Sequence, residues 1–263
     1  GLMWAMAFIA SHFFMNRVYR TEGRTEKDLD TLTLYIILGT VIGARLGHCL
    51  FYGPWFDEYD DFGRLISEGY LSHPLNMLKI YEGGLASHGG AIGIIIAMWL
   101  YCRKTKESLL WLFDRLVIVV PLAAMCIRLG NLINSEIIGK VTDMPWAFIF
   151  VQEDMNPRHP AQLYEAIFCF FLFIFMYWFW KNKRDTVGPG FMFGMLCVLL
   201  FTERFIDEFF KENQAEFEGA MALNMGQILS IPFVLIGIFM IIRSKRLSPG
   251  AYKKTETEAG AEV

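Results

Sequence analysis

The chain has 263 residues, of which 54% are hydrophobic, and a formal net charge of −3. Soluble domains are usually about 45–50% apolar, and here the excess is concentrated in blocks of about 15–22 residues, the length of a membrane-spanning helix. The sequence has no basic stripe of the kind that binds nucleic acid. Its five cysteines and five histidines lack the spacing of disulfide frameworks or metal ligands. We therefore expect an integral membrane protein with no nucleic-acid partner, no disulfide, no metal and no cofactor.

Apolar windows of about 19 residues predict seven spans along the chain. They cover residues 1–15, 32–52, 83–101, 109–127, 163–180, 187–202 and 225–242. These runs are continuously apolar, without the alternation of β-strands, so we interpret them as helices. The expected fold is an all-α polytopic membrane protein of about seven transmembrane helices, with residues 1–263 forming a single membrane domain.

The distribution of Lys and Arg predicts the orientation of the spans. The loops after the first, third and fifth spans, together with the C-terminal tail, carry 15 of the 24 basic residues, and such loops remain cytoplasmic. We therefore expect the N-terminus outside and the tail, 243–263, in the cytoplasm and disordered. The loop 128–162 then faces outward, as a small external subdomain with a short strand near Trp146. Because the chain begins at Gly1 with a short apolar run, we also expect an N-terminal piece to precede it.

Three glycines at i, i+4 and i+8 open the first of four polar clusters. Gly39, Gly43 and Gly47 share one helix face, which permits close helix packing. Packing explains the glycines but leaves Arg45 unexplained. A charged side chain at this depth must find a carboxylate, a carbonyl or a lipid phosphate.

The second cluster places His88 between two glycine pairs, at 83–84 and 89–90. A single histidine at a helix end is usually structural. The glycines, however, remove side-chain bulk, so that a substrate could approach closely. Histidine can accept a proton near neutral pH, which makes a catalytic or substrate-binding role the competing interpretation.

The third cluster follows the fourth span. If this segment is helical, Arg128 and Asn131 lie on one face with Ser135 one turn further on. An arginine at a helix end can simply reach towards water. Because Asn134 and Glu136 also lie beside it, we favour a functional site.

The fourth cluster ends the sixth span, where Arg204 is positioned to pair with Asp207 or Glu208. Such pairing would give only a self-neutralised helix end. Two outward arginines and a histidine nevertheless suggest an anionic ligand, because the guanidinium fork suits phosphate. The residues alone thus indicate a phosphate site near the outer leaflet, where a lipid headgroup is the natural anion.

Six segments taken together resemble the prolipoprotein diacylglyceryl transferase family. They are 43–47 (GARLG), 83–90 (GGLASHGG), 128–136 (RLGNLINSE), 158–165 (RHPAQLYE), 204–209 (RFIDEF) and 225–230 (MGQILS). They occur in the family's order and extend over nearly the whole chain. Each is weak alone, but six in order are highly specific.

The resemblance implies transfer of the diacylglyceryl group of phosphatidylglycerol to the lipobox cysteine of a prolipoprotein signal peptide, at the outer face of the bacterial inner membrane. It implies catalytic roles for His88, Arg128 and Arg204. It implies substrate binding by Arg45, Gly89, Asn131, Glu136, Gly139 and Glu208.

The chain also departs from the family pattern. Met125-Cys126-Ile127 stands where Gly-x-Gly usually precedes the arginine, and Lys140 and Lys211 replace usual arginines. A lysine keeps the charge but loses the bidentate geometry. The family's outer N-terminal segment, with its functional tyrosine, does not appear before Gly1.

Two alternatives remain at this point. An anion or lipid transporter would distribute charges through the membrane depth, whereas the basic residues here cluster at the outer span ends, apart from Arg45 and Arg115. A non-catalytic lipid-binding protein would tolerate loss of His88.

Overall fold

A computed structural model describes residues 1–60, 62–79, 83–212 and 221–252. The helices of this part of the chain are α1 (Leu2–Thr21), α2 (Glu26–Phe51), α3 (Ser87–Thr105), α4 (Leu109–Leu116), α5 (Val120–Ile133), α6 (Ala161–Lys183), α7 (Phe191–Asp207) and α8 (Met225–Ser244), with short 3-10 turns at Pro74–Leu78 and Arg184–Thr186. Two antiparallel strand pairs lie in the loops, β1 (Glu58–Tyr59) with β2 (Leu65–Ser67) and β3 (Phe148–Ile149) with β4 (Pro157–Arg158). The strand expected near Trp146 is present as β3.

Within the described residues, three helical segments are long and apolar enough to cross a membrane: Glu26–Phe51, Ala161–Thr186 and Met225–Ser244. A fourth is added if α4 and α5, which are bent by 49° at their junction, count as one broken span. The membrane-helix character of the chain is thereby supported. The full number of seven spans and the orientation of the termini remain predictions.

Local sequence explains where two helices depart from the predicted spans. α2 begins six residues before the predicted limit, because Thr25 and Asp28 form a reciprocal capping box at its N-terminus. The predicted span 109–127 is interrupted, and α5 restarts with Pro121 in its first turn. Proline lacks the N–H that would continue the helix, but it is well accommodated at this position.

The chain divides into two compact units, one formed by Gly1–Glu22 and Leu110–Lys253 and the other containing Gly23–Leu109. In the second unit, α2 and α3 pack through glycines. A Cβ added to Gly47 would lie 2.7 Å from the Cα of Gly89, and one added to Gly43 would lie 2.8 Å from the Cα of Gly93. The glycine face predicted for α2 is thus a helix-packing face.

The first unit contains α1 and α4–α8. Its helices meet through small residues and aromatic side chains: Gly194 of α7 packs on Gly237 of α8, and the rings of Phe201 and Phe233 stack with centroids 4.3 Å apart. Residues 253–263 of the tail predicted to be disordered lie outside the described residues. The five cysteines are free and buried.

Candidate active site

Arg45 is buried in the second unit, and its guanidinium binds backbone carbonyls. Its Nε donates to the oxygen of Met77 at 2.9 Å, and its terminal nitrogens donate to Asn76 and Gly83, each at 2.7 Å. A weaker bond reaches Gly84 at 3.2 Å. The carbonyl, one of the three partners considered from sequence, is therefore bound by Arg45. Arg45 holds the two chain segments that flank residues 80–82, just before the helix of His88.

His88 is the second residue of α3 and its side chain is exposed. It makes no hydrogen bond or ion pair with any described residue. The neighbouring Gly89 does not leave an open space, because a Cβ there would lie 2.8 Å from the Cα of Gly47. The space beside Gly89 is occupied by α2, so this glycine allows close packing of the helix that carries His88.

Arg128 lies near the C-terminus of α5 in the first unit. Its Nε forms a 2.5 Å ion pair with Oε2 of Glu165 in α6, and one terminal nitrogen donates weakly to Oδ1 of Asn131 at 3.4 Å. The predicted shared face of Arg128 and Asn131 is confirmed. Ser135 lies beyond the end of the helix, which stops at Ile133.

The segment after α5 is a strained, polar turn. Asn131 donates to Oε2 of Glu136 at 2.6 Å, and Gln162 of α6 donates to the Glu136 backbone oxygen at 2.5 Å. Ser135 and Ile137 both have a φ of 57°, a region that costs energy for residues other than glycine, especially a β-branched one. Asn134 donates to the other carboxylate oxygen at 3.2 Å, so the exposed Glu136 carboxylate is held by two asparagines.

Gly139 is explained by a close approach of the chain. A Cβ at this position would lie 2.7 Å from the Cβ of His159, and the Gly139 backbone forms an isolated bridge with Lys211. Arg158 adds a hydrogen bond to the Gly139 oxygen at 3.1 Å. The glycine thus allows the close approach of three segments.

The self-neutralised helix end, in which Arg204 would pair with Asp207 or Glu208, is not the arrangement that the structure shows. Within the described residues, Arg204 has no hydrogen-bond or ion-pair partner, although it is only half-exposed. Both carboxylates instead contact the ammonium of Lys211, at 3.3 and 3.2 Å. Arg204 is therefore left with its donors available at the end of α7.

Lys211 is 1% exposed and also contacts Oε1 of Glu165. Burial lowers the pKa of an ammonium, but the carboxylates of Glu165, Glu208 and Asp207 together raise the pKa of Lys211 above its ordinary value. It therefore stays charged. The ammonium of Lys211 points into the protein, so the bidentate geometry that a lysine lacks is not presented at the surface here.

Glu208 is buried between Lys211 and the start of α8. Its Oε2 accepts a 3.0 Å hydrogen bond from Asn224, the residue that caps α8. A Cβ on Gly226 would overlap the Glu208 side chain. Glu208 consequently fixes the ends of α7 and α8 relative to each other.

Arg128 and Arg204, both in the first unit, interact electrostatically with the same carboxylate. Glu203, one residue before Arg204, interacts electrostatically with Arg128, Lys211 and Arg204. Glu203 also lines a groove of about 580 Å³ between α6 and α7, whose walls are mainly apolar, as at Phe168 and Leu199. Cationic groups at the helix ends therefore lie close to the apolar groove between α6 and α7.

Sequence reasoning missed Glu165, Gln162 and Asn224, which hold the predicted residues in place. Glu165 lies inside the predicted span 163–180, where an acidic residue is itself a signal of function. That signal was present in the sequence but was overlooked, because only the basic residues within the spans had been considered.

Known proteins resemble this chain over most of its length. The family model described as prolipoprotein diacylglyceryl transferase matches residues 1–243. A protein of Bacteroides fragilis named phosphatidylglycerol–prolipoprotein diacylglyceryl transferase is 49% identical over 249 residues, which cover 94% of this chain and 90% of that protein. Proteins with the same name from Tolumonas auensis (45% identical, 94% and 90% covered) and Chloroherpeton thalassium (44%, 93% and 87%) agree. The resemblance drawn from the six segments is confirmed: the chain belongs to the prolipoprotein diacylglyceryl transferase family, a family of transferases.

Proposed function

We propose that this protein transfers the diacylglyceryl group of phosphatidylglycerol to the lipobox cysteine of a prolipoprotein signal peptide, at the outer face of the bacterial inner membrane. The observation that carries the site assignment is Arg204: a half-buried guanidinium with no hydrogen-bond or ion-pair partner in the described part of the chain, beside two carboxylates that contact Lys211 instead. A cation kept free in this way suits an incoming phosphate.

The chemistry requires a thiolate and a stabilised leaving group. A free cysteine has a pKa of about 8.5, so the attacking thiol must lose its proton to a base. We assign this role to His88, whose exposed side chain is free of protein partners in the described residues. The sulfur then attacks the glyceryl carbon, the carbon–oxygen bond to phosphate breaks, and glycerol phosphate leaves with the electron pair.

Arg128 and Arg204 are proposed to bind the phosphate on which negative charge develops. Preorganised donors at such a position lower the barrier because they need no reorganisation during the reaction. The apolar groove between α6 and α7 offers a surface for an acyl chain beside the end of α7.

The remaining predicted residues are proposed to act around this centre. Asn131 and Glu136 form the hydrogen-bonded edge of the site next to Arg128. Glu208 and Gly139 are proposed to support the arginines within the first unit through the contacts described above. Gly89 and Arg45 are proposed to support His88 within the second unit. The transporter and lipid-binding alternatives are not favoured, because the family is one of transferases.

The test incubates the full-length protein with phosphatidylglycerol and a lipobox peptide and measures the peptide mass. Addition of one diacylglyceryl group, with no addition from phosphatidylethanolamine and none to a peptide with serine at the lipobox position, is expected. Arg128→Ala and His88→Ala should abolish the addition while the protein still inserts. Normal labelling by the Arg128→Ala variant would refute the proposed phosphate site.

A further inference from the structure

One buried carboxylate connects two cations of the first unit. Glu165 is 6% exposed, and its two oxygens face different partners: Oε2 forms the ion pair with Nε of Arg128, and Oε1 contacts the ammonium of Lys211. The three residues come from α5, α6 and the segment after α7. This single side chain therefore fixes how these three parts of the unit meet.

Two cations of the cluster are shared among three carboxylates. The ammonium of Lys211 contacts the carboxylates of Glu165, Asp207 and Glu208. One ammonium cannot neutralise three carboxylates, and Arg128 supplies a second positive charge through Glu165. Removal of Lys211 or Arg128 would leave buried carboxylates with less compensation, which is strongly unfavourable.

The contacts of Arg128 also determine which part of its guanidinium is available. Nε is bound to Glu165 and one terminal nitrogen is bound to Asn131. The other terminal nitrogen has no partner among the described residues, and the side chain is 15% exposed. The plane of the guanidinium is thus set by the protein, with one donor edge left for a ligand.

We propose that Glu165 is a positioning residue for the transfer reaction: by holding Nε of Arg128, it orients the free edge of that guanidinium towards the lipid phosphate, while Lys211 anchors Glu165 from the other side. This inference rests on the proposed function, because it takes the phosphate of phosphatidylglycerol as the ligand of Arg128. Lys211 itself, being 1% exposed, is not a ligand of the phosphate.

The test compares Glu165→Gln and Glu165→Asp with a matched control, Glu22→Gln. Glu22 is likewise a poorly exposed carboxylate paired with an arginine, Arg115, within the same unit. Glutamine keeps the size of Glu165 but loses its charge. Aspartate keeps the charge, which protects folding, but is too short to hold both cations. For each purified full-length variant, the apparent unfolding temperature, kcat and KM for phosphatidylglycerol are measured with a lipobox peptide.

We expect Glu165→Gln and Glu165→Asp to lower kcat/KM for phosphatidylglycerol by about 100-fold and about 10-fold, as expected for displacement of a binding group by about 1 Å. Glu22→Gln should lower the unfolding temperature but leave kcat/KM of the folded protein within twofold of the wild type. The Lys211→Arg variant, which preserves the charge, should retain activity within a few-fold.

A double-variant cycle with Arg128→Lys separates positioning from general stabilisation. If Glu165 acts through Arg128, adding Glu165→Gln to Arg128→Lys should reduce kcat/KM by less than about threefold further, because residues that act as a unit are not additive. Multiplicative losses, or a folded Glu165→Asp variant with wild-type kcat/KM, would overturn the positioning role. Absence of any transfer by the wild-type protein would instead refute the proposed function itself.

Discussion

Adjacent glycines on α3 provide a controlled test of how the helix that carries His88 is held. A Cβ on Gly89 would lie 2.8 Å from the Cα of Gly47, whereas a Cβ on Gly90 would have its nearest neighbour, the Cβ of Ala44, at 3.6 Å. Because optimal carbon contacts are about 3.5–4.0 Å, Gly89→Ala requires α2 and α3 to separate by roughly 1 Å. Gly90→Ala requires no movement.

The magnitude follows from this difference. Both substitutions gain a similar helix propensity, at most about 1 kcal/mol, so their difference isolates the steric clash. Overpacking costs about 1–3 kcal/mol, and a backbone contact should lie near the upper end. Since 1 kcal/mol corresponds to about 2–4 °C for a chain of 150–250 residues, Gly89→Ala should unfold about 4–10 °C below Gly90→Ala.

The assay is thermal unfolding in detergent without substrate, followed by transfer activity. Gly89→Ala should lose about 10–100-fold in kcat, because about 1 Å of misplacement of a catalytic group has this effect. If both variants unfold at the same temperature while Gly89→Ala alone loses activity, then Gly89 clears space for a substrate and the packing explanation is refuted.

Three further predictions concern single contacts. The Tyr252 hydroxyl donates to Asp114 at 3.0 Å and accepts from Arg115. Tyr252→Phe should therefore lower the free energy of unfolding by about 1 kcal/mol, measured as a lower unfolding temperature with unchanged KM. An unchanged unfolding temperature would argue against this contact. The Arg45 guanidinium binds four backbone carbonyls, a geometry that an ammonium cannot reproduce. Arg45→Lys should therefore increase hydrogen–deuterium exchange in 76–79 and 83–84. Unaltered exchange would show that Arg45 does not hold these segments. Arg204→Lys should raise KM for phosphatidylglycerol at least about tenfold, because an ammonium lacks the bidentate geometry that suits phosphate. The unfolding temperature should change little, because Arg204 makes no hydrogen bond or ion pair with the described residues. A normal KM would exclude Arg204 as a phosphate ligand.

The helical pattern was readable from the sequence because apolar run length and small-residue spacing are local properties. The face formed by Gly39, Gly43 and Gly47 was predicted from spacing alone, and it packs against α3 as expected. The break between α4 and α5 was missed, since a window average over 109–127 does not register one proline. The early start of α2 at the Thr25 cap was missed for a similar reason, because a cap depends on a few residues whose effect hydropathy does not register.

The site was harder to predict, because partner choice depends on residues distant in sequence. Pairing of Arg204 with Asp207 or Glu208 was an open alternative from the sequence, but the ammonium of Lys211 contacts both carboxylates instead. Arg45 was recognised as needing a partner, but nothing local in the sequence indicated that the partners are carbonyls more than 30 positions away. The residue types of the site were thus predictable, whereas their pairing required the fold.

The central claim is that Arg204, which makes no hydrogen bond or ion pair with the described residues, binds the headgroup phosphate of phosphatidylglycerol. Retention of phosphatidylglycerol by the purified protein, measured by native mass spectrometry, tests this directly. The comparison uses Arg204→Ala and, as a matched control, Arg243→Ala, an exposed arginine near the end of α8. The account predicts that Arg204→Ala loses bound phosphatidylglycerol while Arg243→Ala retains it, and equal retention by both variants would contradict it.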